Sequence, residues 1–259
     1  MKSDKAITLI KIGGRAASAE PILLSLFREM KKMKGKNHFI LVHGGGAEVS
    51  KISSRFGFAP RFKEGIRMTG PEEMEIVDMV LAGKMNKYLV RIMNTVTPGA
   101  GISGSDGLLF TGESIDKENP RGNRTGSITR VQTGILETLI RGGYIPVVAT
   151  TSMDAEGRAL NINADEAALH LAAALHADNL VFLSDIAGIV HNGEVFSALN
   201  EESAEEAIKQ EIITDGMIPK VRSSIQAIHH GVGHVIIGQF TEEGDLSLLL
   251  SGKTGTYIS

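Results

Sequence analysis

The stretch Ala6-Ile7-Thr8-Leu9-Ile10-Lys11-Ile12-Gly13-Gly14 decides how this chain is read. Ile7–Ile12 is almost continuously apolar. That suits a strand of a parallel sheet covered on both faces, because a half-exposed strand would alternate apolar and polar residues. Lys11 sets a charge inside the apolar run, and Gly13-Gly14 end it on a turn without side chains. Glycine after a strand lets backbone N–H groups approach an anion closely, and a following helix adds its positive end.

Working outward, the pattern recurs. Phe39–Val42, Ile145–Ala149, Leu180–Leu183 and Val235–Ile237 read as further buried strands. Helical patterns lie between them over Pro21–Met33, Ala47–Phe56, Glu72–Met93, Gly134–Arg141, Asp165–His176, Glu202–Gln210 and Val221–His230. Such alternation predicts an α/β fold with a largely parallel central sheet sandwiched by helices. Gly99–Thr129 is rich in Gly, Ser, Asn and Arg, lacks a helical period and reads as hairpins and loops. No flexible linker is evident, so two lobes would share one sheet, with a boundary near Ala177. Helix Glu72–Met93 has apolar residues on more than one face, among them Met74, Met79, Leu81, Met85, Tyr88 and Ile92. Either it is buried within its own lobe, or its second face meets another subunit.

Composition narrows the function. The chain has 259 residues, 42% hydrophobic and 22% charged, enough for a large core and too apolar for disorder. A net charge of −3 argues against a general nucleic-acid binder. Cysteine is absent, which excludes a disulfide framework and thiol chemistry and suits the cytoplasm. The first apolar run is too short for a secretory signal, and no stretch approaches the ~20 apolar residues of a membrane span. Gly252-Lys253-Thr254 imitates the end of a P-loop, but Ser247 stands where its earlier glycine belongs. His230 and His234 are four apart, yet Gly231 and Gly233 argue against a helical metal pair.

Two more glycine turns follow strands, His43-Gly44-Gly45-Gly46 and Asp185-Ile186-Ala187-Gly188. Any one of the three could be a plain tight turn; all three at strand ends suggest one or two anionic ligands. Charged residues sit close by in apolar surroundings. Lys11 interrupts a strand. Lys220 follows Pro219, a residue suited to a first helical turn. Asp165 opens a helix, either as an N-cap or as a functional carboxylate. Arg67 lies in Gly65-Ile66-Arg67-Met68-Thr69. This set suits phosphoryl transfer to a carboxylate. Such a nucleophile is already ionised, so the protein need only align it and spread positive charge over the moving group.

From about Ile7 to Ile258 these elements resemble, in order, the amino acid kinase family: Lys11–Gly14, Val42–Gly46, Gly65–Thr69, the helix with Asn86-Lys87, Gly101–Gly107, Asn161–Asp165, Leu183–Ile189 and Ile212–Val221. The resemblance implies an ATP-dependent kinase acting on the side-chain carboxylate of N-acetyl-L-glutamate in arginine biosynthesis. It makes Lys11 and Lys220 the pair that neutralises the transferring group, and Asp165 the residue that organises them. Gly13, Gly14, Gly45 and Gly46 become backbone donors to phosphoryl and substrate oxygens, and Arg67 and Asn161 the grip on the acceptor. Ser184, Asp185, Gly188, Ile212, Ile213 and Thr214 form the nucleotide pocket. Residues 1–176 would be an acceptor-binding, dimerising lobe and 177–259 an ATP-binding lobe. Magnesium would travel with ATP, with no dedicated protein metal site, and the cytoplasmic enzyme would be a homodimer through helix 72–93, bound to neither nucleic acid nor membrane. Two alternatives stay open. One is a carrier-bound aminoadipate or glutamate acceptor, since Arg124 lies in a stretch, Asn119 to Arg130, where such enzymes vary. The other is a catalytically silent amino-acid sensor of the same fold. The few residues before the first strand also imply insensitivity to arginine, because arginine-inhibited members carry an extra N-terminal helix there.

Overall fold

The computed structural model describes residues 5–17, 19–63, 65–191, 194–214 and 217–259. The chain forms two compact units, Met1–Ile40 with Ala168–Ser259, and Leu41–Ala167. The changeover near the end of the second unit falls inside the helix Ala164–Ala174, and the first strand belongs with the C-terminal residues. A boundary near Ala177 alone would place that strand, and Lys11 with it, on the other side.

In the first unit the strand order is Ala198–Leu199, Thr256–Ile258, His234–Gln239, Asn179–Ser184, Ala6–Ile12. The last three are mutually parallel; Thr256–Ile258 runs antiparallel to His234–Gln239. Leu9, Ile10, Leu180, Val181, Phe182, Val235, Ile236 and Ile237 are all fully buried. This is why their sequence runs are continuous: helices Met217–His229 and Asp245–Leu250 pack on His234–Gln239, leaving no solvent face. Glu29, on the helix Glu20–Met33, is buried and accepts hydrogen bonds from the backbone N–H groups of Gly244 (3.0 Å), Leu246 (3.3 Å) and Ser247 (2.7 Å). Three donors that the short helix Asp245–Leu250 cannot satisfy within itself thus end on one carboxylate.

In the second unit Ile145–Ala149 is flanked by Leu41–His43, the end of the strand Asn37–His43, and by Gly99–Ser103, all parallel. A closed four-stranded barrel is built from Ala159–Ile162, Thr125–Val131, Phe110–Ser114 and Thr151–Met153. The expectation of hairpins and loops across Gly99–Thr129 holds in part: Phe110–Ser114 and Thr125–Val131 pair antiparallel as a hairpin of the barrel, but the first five residues form a parallel strand. The glycines misled. A Cβ at Gly99 would lie 2.4 Å from Met93 Sδ, and one at Gly101 would lie 2.0 Å from Asn86 Oδ1. Glycine there lets the helix Asn86–Asn94 lie directly on the strand.

Pro71–Asp78, a π-helical segment Met79–Met85 and Asn86–Asn94 follow one another as one helical stretch. Most of its apolar residues turn inward: Met74, Ile76, Val77, Val80, Leu81, Leu89, Ile92 and Met93 are buried within the unit, and only Met79 is prominently exposed. Burial in its own unit explains most of the two-faced apolar pattern. Among the described residues, no helix is long and apolar enough to cross a membrane.

Candidate active site

The second unit holds a cavity of about 170 Å³, lined by the Gly44–Gly46 turn, Phe62, Arg67, Thr125, Asn161 and Asn163 among others. It sits at the carboxyl end of Asn37–His43, where open α/β sheets place their ligands. Four residues singled out in the sequence, Gly45, Gly46, Arg67 and Asn161, therefore share one wall. The π-helical segment shapes the turn from beneath: a Cβ at Gly45 would meet Leu81 Cδ2 at 2.8 Å and Met85 Cγ at 3.3 Å.

Arg67 is buried in this wall. Its Nη1 donates to Glu73 Oε1 at 3.2 Å, and its Nη2 donates to the Gly46 carbonyl at 3.0 Å and to the Ser50 hydroxyl. The guanidinium also lies 4.9 Å from the ring centroid of Phe62, on the two-stranded hairpin Phe62–Lys63 and Ile66–Arg67. Three of the five N–H donors of an arginine are thus engaged, which fixes the plane of the group and leaves Nε and one Nη1 hydrogen for a ligand. Asn161 Nδ2 donates to Thr69 Oγ1 at 3.0 Å, and Thr125 Oγ1 donates to the Arg67 carbonyl at 2.7 Å while accepting from the Thr69 N–H at 2.9 Å. Barrel strand Thr125–Val131 thereby pins the hairpin.

Asp165 lies in the first turn of Ala164–Ala174, immediately after the cavity residues Asn163 and Ala164. Asn163 Oδ1 accepts from the Asp165 N–H at 2.8 Å and from the Glu166 N–H at 3.3 Å. Asn163 therefore caps the helix, and Asp165, in its first turn, is not the N-cap.

The first unit gathers the remaining residues. Lys11 pairs in register with Phe182 on the neighbouring parallel strand, so their side chains share a face of the sheet. The Lys220 ammonium lies 4.6 Å from the Phe182 ring centroid. Lys11 Nζ approaches to 3.1 Å of where a Gly13 Cβ would be, and a Cβ at Gly14, whose φ is +55°, would be 2.5 Å from Asp185 Oδ2. The first and third glycine turns thus pack together. Gly188 leaves room for Thr256, whose hydroxyl accepts from the Ile189 N–H at 2.8 Å. Ser184 ends its strand, and Thr214 is exposed. Ile213 is buried with its neighbour Ile212 partly so, which leaves the Ile213 side chain as core.

A family model, the amino acid kinase family, matches residues 6–239. The chain belongs to the amino acid kinase family. Acetylglutamate kinase of Aquifex aeolicus (strain VF5) is 36% identical over 273 residues, covering 98% of this chain and 91% of the relative. Acetylglutamate kinase of Thermoanaerobacter sp. (strain X514) is 37% identical, covering 99% and 88%. Among solved structures, carbamate kinase from Giardia lamblia bound to AMP-PNP superposes with a TM-score of 0.71 at 17% identity, each chain 98% covered. N-acetylglutamate synthase from Neisseria gonorrhoeae superposes at 0.82 with 21% identity, covering 98% of this chain and 59% of that one. These two likenesses establish the amino acid kinase fold. The α/β reading with a mostly parallel, helix-covered sheet is borne out.

The sequence reading did not assign Phe62 and Thr125, which line the cavity, or Thr69, which holds Asn161. His43, the first residue of a glycine turn, meets Asn86 from far along the chain, at 3.2 Å. Arg124 was expected where acceptor preference varies. Its guanidinium instead bonds Asp154 at 2.9 Å and the carbonyls of Pro120, Arg158 and Ala159. Those bonds give Arg124 a structural part in the barrel.

Proposed function

We propose that this chain transfers the γ-phosphoryl group of ATP to the side-chain carboxylate of N-acetyl-L-glutamate, producing ADP and an acyl phosphate in arginine biosynthesis. One observation carries the reading: Arg67, preset by Glu73 and Gly46, is, among the described residues, the single charged side chain lining a small cavity beside a glycine turn. An oriented guanidinium suits a carboxylate, and the acetylglutamate kinases among the relatives name which one. The acceptor carboxylate oxygen attacks the γ-phosphorus, the bond to the β,γ-bridging oxygen breaks, and its electron pair leaves with ADP. No proton need move, so no general base is required.

In this reading Lys11 and Lys220 spread positive charge over the transferring group, and Asp165 organises them. Gly13, Gly14, Gly45 and Gly46 donate backbone N–H groups, and Ser184, Asp185, Gly188 and the backbone of Ile212–Thr214 receive the nucleotide. Magnesium enters as part of MgATP. The enzyme is a cytoplasmic homodimer through helix 72–93, for which the exposed Met79 is the supporting apolar residue; light scattering at micromolar concentration tests that state.

The reaction is tested by ADP release with MgATP and a panel of acetylglutamate, aminoadipate derivatives, glutamate, aspartate and UMP. Acetylglutamate should give the highest kcat/KM by at least tenfold. A preference for any other acceptor overturns the assignment.

A further inference from the structure

His43 is fully buried directly beneath the glycine turn. Its Nδ1 lies 2.8 Å from the Gly44 carbonyl oxygen, which can only accept, so Nδ1 carries the proton. Nε2 is then the acceptor, and Asn86 Nδ2 donates to it at 3.2 Å. The same amide nitrogen reaches the carbonyls of Val147 (2.8 Å) and Ile102 (3.3 Å), and Asn86 Oδ1 accepts from Lys87 Nζ at 2.9 Å. The amide has two hydrogens: one goes to the Val147 carbonyl, and the other is shared between His43 Nε2 and the Ile102 carbonyl.

This bond has a directional consequence. In a trans peptide the C=O and N–H vectors point in opposite directions, and there is no cis bond among the described residues. With the Gly44 oxygen held on the His43 ring, the Gly45 N–H points away from that ring. Among the described residues nothing accepts from the Gly45 N–H, and Gly44 to Gly46 line the cavity. Glycine peptides flip readily because no Cβ opposes positive φ; the Gly45 carbonyl is held by the Val49 N–H at 2.9 Å, so it is the Gly44–Gly45 peptide that needs a lock from outside the helix.

We propose that His43 and Asn86 are positioning residues that lock the Gly44–Gly45 peptide so that the Gly45 N–H faces the cavity as a preset donor to an anionic oxygen. The proposal rests on the phosphoryl-transfer reading for its kinetic test, and on the fold alone for its spectroscopic one.

The variants are His43→Phe, which keeps a ring but has no donor, and His43→Asn, whose Nδ2 can replace the lost Nδ1–H but which leaves a gap. A merely structural role predicts that activity follows packing, with Phe equal to or better than Asn. The lock predicts the reverse: His43→Phe lowers kcat about 10- to 100-fold, part of the loss typical of a removed preorganised donor. His43→Asn should recover most of that rate despite a lower Tm. In ¹⁵N TROSY spectra the Gly45 amide should give one cross-peak in wild type and in His43→Asn, and a broadened or doubled one in His43→Phe. Activity that tracks Tm, or an unchanged single Gly45 peak in His43→Phe, overturns the lock. Wild type assayed alongside separates the two readings. If it fails with acetylglutamate while the Gly45 peaks behave as stated, the reaction assignment falls and the lock stands.

Discussion

The ammonium of Lys220 rests 4.6 Å from the ring centroid of Phe182. Phe182 is fully buried and in register with Lys11. One aromatic side chain on a central strand thus lies beside both lysines to which the reaction reading assigns charge. A cation over a desolvated ring is held by about 2 kcal/mol. Phe182→Leu should therefore lower kcat by about tenfold with little change in acceptor KM. Lys11→Ala or Lys220→Ala should cost about 10²–10³ in kcat. Steady-state kinetics check both, and a Lys220→Ala enzyme turning over at the wild-type rate removes that lysine from the mechanism.

Arg67 and Glu73 form a buried pair at 3.2 Å. Lysine in place of Arg67 keeps the charge but loses the planar fork, so Arg67→Lys should raise acceptor KM at least tenfold with a smaller loss of kcat. Glu73→Ala strands the guanidinium, and breaking a buried pair from one side costs about 3–5 kcal/mol. It should lower stability and raise acceptor KM together. An unchanged KM in Arg67→Lys separates Arg67 from acceptor binding.

His43 supplies a pH signature. Burial pushes its pKa down to about 4, opposed by the bond to the Gly44 carbonyl and aided by the charge of Lys87. In the unfolded chain the group titrates near 6.5. Above that pH both states are neutral and the group has no effect. As pH falls from 6.5 to 4 the unfolded chain takes up a proton that the folded chain refuses, so stability declines, and below 4 the loss is complete. Its full size is about 3 kcal/mol at about 1.4 kcal/mol per pH unit. Urea midpoints of wild type and His43→Phe, compared at pH 7 and pH 4.5, should diverge, with the wild type losing more on acidification. Parallel losses would show that His43 does not titrate in this way.

Glu29 closes three backbone donors at the start of the helix Asp245–Leu250. Glu29→Ala leaves them without their acceptor and should cost about 3 kcal/mol by denaturant unfolding, while Glu29→Gln, which can still accept, should cost less. Equal stability of the two variants would mean that the carboxylate contributes only packing.

The strands were legible because burial on both faces forces uninterrupted apolar runs. Ile7–Ile12, Leu180–Leu183 and Val235–Ile237 came out within a residue or two of the strands observed. The helices were legible from their period, and the glycine turns from their place after strands. The strand Gly99–Ser103 was not, because glycine required by a neighbouring helix looks the same in sequence as glycine required by a turn. The barrel escaped for a related reason: its strands are short, and pairs such as Ala159–Ile162 with Thr151–Met153 declare themselves only through partners.

Sequence by itself determined the chemistry on offer: lysines in apolar surroundings, an arginine in a glycine-flanked hairpin, and three anion-seeking turns. It could do so because burying a charge is costly and glycine after a strand is conformationally specific, both local facts. Tertiary structure decided which residues hold those groups in place. Phe182 under Lys220, Glu73 on Arg67, Asn163 in place of Asp165 as the helix cap, and Asn86 behind His43 are each set by packing and directed hydrogen bonds. His43 and Asn86 lie 43 residues apart along the chain. A bond of that kind depends on two elements arriving at one place at one angle, and neither residue type nor spacing records that.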